Sequence, residues 1–358
     1  MTEVVTNASN LNSPDILKQA FQEYTTSQEL AWLMGGSEMA PIQMRVKTGK
    51  GSGDTITCSI ANSFDEASVR TGTEVLAGNE VDLVLNDDSV TINYVRMAAK
   101  VDSKALVNLR TPVEIVGLIR PSIIDTMARK LRNDIIDSAA VTASPVDKRA
   151  LFGATEANYN ATLATALANV DATADKMSVE MIRLVKDMAR ETSTDAPRKL
   201  RPYKARMNNG AYMETFVLLV DGKGARQLQA DADFKELRDD SRNNEIAMPY
   251  FNGTDYIGQV DGVMVYRVNE LARIKHAAAG ASGIDVSHAL FLGAQAFMVA
   301  FGETGQFNDV NPNSAADTDY GRHMKVGYTT IRGTKMLKFD NGAGTDIENG
   351  VIHVFHAG

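Results

Sequence analysis

The sequence predicts an α+β fold, on three observations. Apolar residues recur at period two between Ile42 and Val101, which is the pattern of half-buried strands. Helical spacing takes over from Thr111 to about Val141 and returns at Val179 to Arg190. Beyond that, short apolar runs and helical stretches interleave without the regular alternation of a βαβ protein.

Residues 1–41 read as an arm. Leu17, Ala20 and Phe21 share one face of a short amphipathic helix that starts at Pro14, and the rest is too polar to fold alone. Such a segment needs a surface, its own domain's or a neighbour's. In the next region Ile56, Cys58 and Ile60 alternate with Thr55, Thr57 and Ser59, Val81, Leu83 and Leu85 alternate again, and Val90, Ile92 and Tyr94 follow. Asn86-Asp87-Asp88-Ser89 reads as a turn between two of these runs. Residues 62–79 are rich in Ser, Thr, Gly, Asp and Glu, so 42–101 reads as a long β-hairpin with a polar end. An eleven-residue arm reaches about 35 Å, enough to lie across another subunit.

A helix follows with a marked start. Thr111 is the cap, Pro112 the first helical residue and Glu114 the closing acid of a capping box. Ile124, Met127, Leu131 and Ile135 form one apolar stripe, while Asp125–Arg129 and Lys130–Asp134 are spaced to pair on the polar side. Pro121 is expected to kink or restart the helix, which otherwise runs to about Val141, roughly 45 Å. Residues 142–176, Ala-, Thr- and Asn-rich, read as a surface loop or insertion. Met181, Leu184, Val185 and Met188 define the next helix face. Phe216 to Val220 reads as a buried central strand, Gly224 to Leu237 as a helix, and Val260-Asp261-Gly262-Val263 as a tight turn into a strand ending at Val268. Ala289–Phe301 and Val326–Phe339 add strand or short helix, and Val351 to Phe355 a last strand.

Composition bounds the function. Of 358 residues, 44% are hydrophobic and 23% charged, an ordinary balance for a folded protein. Lys and Arg total 37 against 45 Asp and Glu, a net charge of -8, which argues against a protein that grips nucleic-acid phosphates but not against one that encloses them. The N-terminal residues show no secretory signal, and no apolar run is long enough to cross a bilayer. A single cysteine, Cys58, excludes an intrachain disulfide and fits synthesis in a reducing cytosol.

The chemistry of an enzyme is missing from the motifs. Gly49-Lys50-Gly51-Ser52-Gly53 lacks both the Ser or Thr after lysine and the leading glycine of a phosphate loop, and it joins strands; Gly222-Lys223-Gly224 fails in the same way. The five histidines come late. His353 and His356 are three apart on a strand and so point to opposite faces, and His276 and His288 sit near Gly and Ala in expected loops, so no metal set converges. Cys58, between Ile56 and Ile60, reads as a small buried hydrophobe. Asp231 and Asp233, with Asp239 and Asp240, lack the glycine and glutamate of a calcium loop and read as solvated surface. No catalytic, cofactor-binding or metal-binding residue is assigned, and the expectation is a non-enzymatic protein without cofactors.

The order of elements carries a resemblance. Gly53-Asp54-Thr55-Ile56 opens the hairpin, and Val90-Thr91-Ile92 leads into its return. The Leu118–Asp137 helix ends in acidic residues, and Phe216–Val220 precedes Leu228-Gln229-Ala230-Asp231. Val260–Val265, Ala289–Ala296 and Gly333–Phe339 complete the set. In this order the chain resembles the N-four-type major capsid protein family of tailed bacteriophages, which has the Hong Kong 97-type capsid fold. The resemblance spans about residues 40–355.

It implies self-assembly into pentamers and hexamers that form an icosahedral head around double-stranded DNA, bound without sequence specificity. Scaffold, portal and decoration proteins would be further partners, with no membrane involved. Location would be the virion, after assembly in the host bacterial cytoplasm. Residues 1–41 would be the N-terminal arm, 42–101 the extended hairpin (E-loop) with peripheral strands, 102–177 the spine helix and loop of the peripheral domain, and 178–358 the axial domain with strands returning to the peripheral one. The alternatives are an encapsulin-like compartment shell, which shares the fold, and a soluble α+β enzyme with a non-local site. A scaffold or tail protein would show heptads or tubular repeats, and neither is evident.

Overall fold

The alternating apolar pattern resolves into two main sheets with helices packed on their faces. The computed structural model describes residues 14–26, 29–61, 85–102, 115–146, 148–190, 200–206, 212–236, 255–309, 323–340 and 346–358. In chain order, helix α1 (Pro14–Thr26) leads to strands β1 (Met34–Gly35) and β2 (Ile42–Val46). A hairpin of β3 (Thr55–Ala61) and β4 (Leu85–Thr91) follows, then β5 (Asn93–Asp102) and helix α2 (Ile115–Asp137). Next come β6 (Ala150–Phe152), helices α3 (Leu163–Ala168) and α4 (Val179–Arg190), β7 (Tyr203–Arg206) and β8 (Tyr212–Val220). Helix α5 (Gly222–Ala230) precedes β9 (Tyr256–Val260), β10 (Val263–Arg267) and β11 (Val286–Leu292). The last strands are β12 (Phe297–Asp309), β13 (His323–Met336), β14 (Lys338–Asp340), β15 (Asp346–Glu348) and β16 (Val351–Ala357).

The first sheet has the order β1-β2-β12-β13-β5. Strands β1, β2 and β12 run parallel, and β12, β13 and β5 antiparallel. Successive residues of β12 face opposite sides. Phe297, Val299 and Phe301 enter the core under α1 and α2, while Met298 and Ala300 enter a smaller core under the hairpin. Helix α1 buries Ala20 and Tyr24, and Phe21 meets the Phe301 ring edge-on at 5.1 Å. The amphipathic segment therefore finds its surface on its own subunit.

Helix α2 buries the expected stripe of Ile124, Met127, Leu131 and Ile135, and both expected ion pairs form, Arg129–Asp125 at 3.1 Å and Lys130–Asp134 at 2.5 Å. Of the kink or restart expected at Pro121, the restart does not occur, because Pro121 lies inside a continuous helix. Proline removes one ladder bond there, but Ile119, Ile123 and Ile124 are buried on both sides of it and packing carries the helix through. The helix ends at Asp137, short of Val141, and its 23 residues span about 34 Å. The capping residues Thr111–Glu114 lie outside the described residues.

The expected hairpin also changes. Strands β3 and β4 pair from Thr55↔Thr91 to Ala61↔Leu85, seven pairs or about 23 Å. The Asn86–Ser89 run, expected as a turn, is part of β4. Its polar side chains are accommodated because Asp88 accepts from the Lys335 ammonium and, at 3.0 Å, from the Lys338 amide. The connection between the strands falls in 62–84, outside the described residues, as do Val81 and Leu83. Strand β5 does not extend the hairpin; it pairs with β13 from Asn93↔Arg332 to Asp102↔His323.

The second sheet has the order β6-β16-β11-β8-β10-β9, with β7 beside β8. Phe216–Val220 is its buried centre, as expected, parallel to β10 and antiparallel to β11. One face packs on α4 with Met181, Ile182 and Val185; the other gives Val217, Leu219, Met264, Leu290 and Leu292 to the same core as Phe297 and Tyr328. Asp261 and Gly262 form the expected tight turn, both at positive φ (46° and 79°), the arrangement that twists with its strands. Helix α5 starts earlier than expected, at Gly222, and the expected helix is interrupted at Asp231, whose backbone is extended, before helical structure resumes at 232–236.

The supposed surface loop 142–176 is partly core. Leu151 and Phe152 of β6 pair with β16, and Ala166, Leu167 and Val170 are buried against Phe355. Small residues allow that close packing, which composition alone made look like a loop. Between β11 and β12 the chain crosses sheets in the segment Gly293–Ala296. The amides of Gly293, Ala294, Gln295 and Ala296 bond to the carbonyls of Gly350, Arg201, Ala40 and Pro41 at 2.8–2.9 Å.

Candidate functional site

The hairpin and the first helix are held on the sheets by defined contacts. The base of the hairpin is seated by Ile56, Cys58, Val90 and Ile92 on Met298, Ala300, Ile331 and Leu337. The seat is close: a Cβ on Gly333 would stand 2.2 Å from the Thr91 carbonyl oxygen. The Cys58 thiol donates to Gln43 Oε1 at 2.8 Å, and burial pushes its pKa up, so it is a packed thiol and not an activated one.

A polar lock joins α1, α2 and β13. Asp134 receives Lys130 and also, at 2.7 Å, the Arg332 guanidinium, whose side chain is 1% exposed. Arg132 bridges Glu29 and Glu270, each at 2.8 Å, and Arg120 reaches Glu23 at 3.4 Å. Tyr24 lies under this network, and burial raises its hydroxyl pKa far above the usual value. Sequence spacing showed only Lys130–Asp134; the Arg332 partner is 198 residues away.

The histidines differ from expectation. His288 is not in a loop but in β11, fully buried, with Nε2 2.8 Å from His353 Nδ1. Its position beside Ala289 misled because the flanking strand is buried on both faces. His276 lies beyond the strands and forms an isolated bridge with Val286. His353 and His356 do point to opposite faces: His353 Nε2 stands 3.5 Å from Glu348, and His356 Nε2 stands 3.5 Å from Asp221. Among the described residues, no group of three His, Cys, Asp or Glu side chains could hold a metal ion.

The glycine-rich segments do no phosphate chemistry visible in the geometry. Gly49–Gly53 joins β2 to β3, with Gly49 and Gly53 at positive φ and Asp54 accepting from the Gly51 amide at 2.9 Å. Gly222-Lys223-Gly224 opens α5 beside an open cleft of about 440 Å³. The helix start is already occupied, because Asp221 accepts from the Gly224 amide at 2.7 Å and from the Ser287 hydroxyl at 2.8 Å. Burial opposes the Asp221 charge, but His356, the Gly224 amide and Ser287 outweigh it and leave the pKa at about 2. Two cations of the cleft are paired, Lys275 with Asp285 at 2.9 Å and Arg267 with Asp255 at 3.6 Å. Asp231, expected as solvated surface, accepts from the Val179 amide at 2.9 Å and so caps α4; Asp239 and Asp240 lie outside the described residues.

With this geometry in place, the chain was compared with known proteins. The pattern of the phage capsid protein family matches residues 7–358. Among solved structures, the capsid asymmetric unit of cyanophage Pam1 superposes with a TM-score of 0.72 at 22% identity, covering 92% of this chain and 91% of that one. The capsid of Ralstonia phage GP4 gives 0.69 at 18% identity, with 91% and 89% covered. The head structure of Helicobacter pylori bacteriophage KHP40 gives 0.67 at 16% identity, with 92% and 90% covered. No curated protein matches the chain.

The architecture, two sheets that share a core with α2 and a two-stranded hairpin seated on the first, is the Hong Kong 97-type capsid fold. The chain belongs to the phage capsid protein family. By its family it is a capsid protein of a bacteriophage, a structural protein of the phage head.

Proposed function

We propose that the chain forms pentamers and hexamers, that these tile the head around double-stranded DNA, and that it catalyses no reaction. The observation that carries this reading is the family match over residues 7–358, joined to a two-stranded hairpin with a tightly seated base. In this reading the five-stranded sheet with α2 is the peripheral domain, the seven-stranded sheet the axial domain, and residues 1–41 the N-terminal arm. Residues 42–101 supply the extended hairpin, which lies over a neighbouring subunit, together with peripheral strands. Scaffold, portal and decoration proteins and the packaged DNA are its partners, and assembly takes place in the host cytoplasm.

Electron microscopy of the purified protein in negative stain tests the proposal. Closed shells or five- and six-fold capsomers support it, and discrete small particles overturn it. A second test deletes residues 63–78. The expected result is a folded subunit, by circular dichroism and a cooperative unfolding transition, that no longer yields shells; normal shells from that variant would remove the hairpin from the mechanism.

A further inference from the structure

The core of the second sheet holds an arrangement that shell formation alone does not explain. His288 and His353 are both fully buried and share one short contact, Nε2 to Nδ1 at 2.8 Å. The register sets Phe355 opposite His288 and His353 opposite Leu290, so the imidazoles meet on the diagonal across β11 and β16. The Phe355 ring stacks on His288 at 4.5 Å, and the His276 ring is 6.3 Å from it. At the far end Glu348, itself 6% exposed, faces His353 Nε2.

We propose that this buried imidazole pair is an acid-sensitive seam between β11 and β16, and that proton uptake there sets the lowest pH at which the subunit, and any shell built from it, holds together. Two neutral imidazoles 2.8 Å apart share one proton: one nitrogen donates and the other accepts. One added proton is tolerated, because it still leaves one N–H donating across the 2.8 Å contact between the rings. A second is not, since it leaves two N–H groups opposed across the same gap. In the unfolded chain both rings take up protons below about pH 6.5. The folded state therefore binds fewer protons than the unfolded one, and stability falls as the pH drops below that value. Each excluded proton shifts the folding equilibrium about tenfold per pH unit.

The surroundings reinforce the exclusion. Burial first, then the neighbouring His353, His276 and His356, hold the His288 pKa well below the usual histidine range, and burial also lowers that of His276. Arg149 is buried at the start of β6, and its carbonyl takes the His353 amide. The Asp175 carboxylate, near the end of β16, is occupied by the amides of Ala154 and Asp171. Across the sheet, His356 faces Asp221. None of these places a second anion against the pair.

Urea unfolding of the intact chain between pH 7.5 and 4.5 tests the proposal, comparing the wild type with the double variant His288→Gln, His353→Gln. The expected wild-type curve loses stability steadily below about pH 6.5, and the variant should lose about tenfold per pH unit less. An unchanged slope in the variant overturns the proposal. Should the variant not fold, exchange of the histidine C2 hydrogens, read by mass spectrometry on the wild type, decides the matter. A His288 midpoint well below the ordinary value supports the seam, and an ordinary midpoint overturns it. Neither readout requires shells, so a failure to assemble would count only against the assembly reading.

Discussion

Replacing Gly333 with alanine puts a methyl carbon 2.2 Å from the Thr91 carbonyl, and neither the backbone of β4 nor that of β13 can yield without lifting the hairpin base. Overpacking of this kind costs about 1–3 kcal/mol, and equilibrium unfolding of Gly333→Ala measures it. At Asp134 the expected cost is larger, about 3 kcal/mol for Asp134→Ala, because the Arg332 cation is left buried without its anion. A loss under 1 kcal/mol in the same assay would show that water or another anion replaces Asp134. Asp221→Asn gives a pH-dependent case. The depressed Asp221 pKa stabilises the fold above the unfolded-state value near 3.9, and that share is lost as the pH falls towards 2. The variant should lose stability at pH 6 and differ less from wild type at pH 2.5. At this scale the sequence was legible where partners are neighbours, as in Asp125–Arg129. It was silent where they are distant, as in Asp134–Arg332 or His288–His353.

Among the elements, α2 shows tertiary packing overriding a local signal. Pro121 removes a hydrogen bond in mid-helix, yet isoleucines on both sides are buried and the helix continues. Pro121→Ala should therefore stabilise the protein, by about 1–3 kcal/mol, since the helix is already formed and the missing bond is restored. A lower urea midpoint for the variant would mean that the proline geometry is itself required. The period-two pattern located β3 and the continuous apolar run located the centre of β8, because one or both faces are buried. It could not tell which strands pair, so β5 was joined to the hairpin although its partner β13 lies more than 200 residues away. The loop assigned to 142–176 holds only in part, for a related reason: alanine packs as well in a tight core as it sits on a surface.

For the whole molecule, the core under α1 and α2 takes side chains from both sheets, Leu219 and Leu290 from one and Phe297, Val299 and Tyr328 from the other. A core held in common leaves neither sheet a separate unfolding transition. Calorimetry of the unassembled subunit should show a single two-state peak, and two resolved peaks would contradict the shared core. The α+β class and the order of arm, hairpin, spine helix and mixed remainder were readable from periodicity. The division of strands between two sheets was not, because β12 and β13 return to the first sheet after the chain has built most of the second.

The crossing at Gly293–Ala296 has a mechanical consequence. Its four amides are tied to three separate segments of backbone, so the passage between sheets is a weld and not a hinge. Tension arriving along β12 passes into β11 as longitudinal shear, which the bonds of the β11–β16 and β8–β11 ladders resist together and not one after another. A subunit made this way transmits strain across its body as a stiff plate.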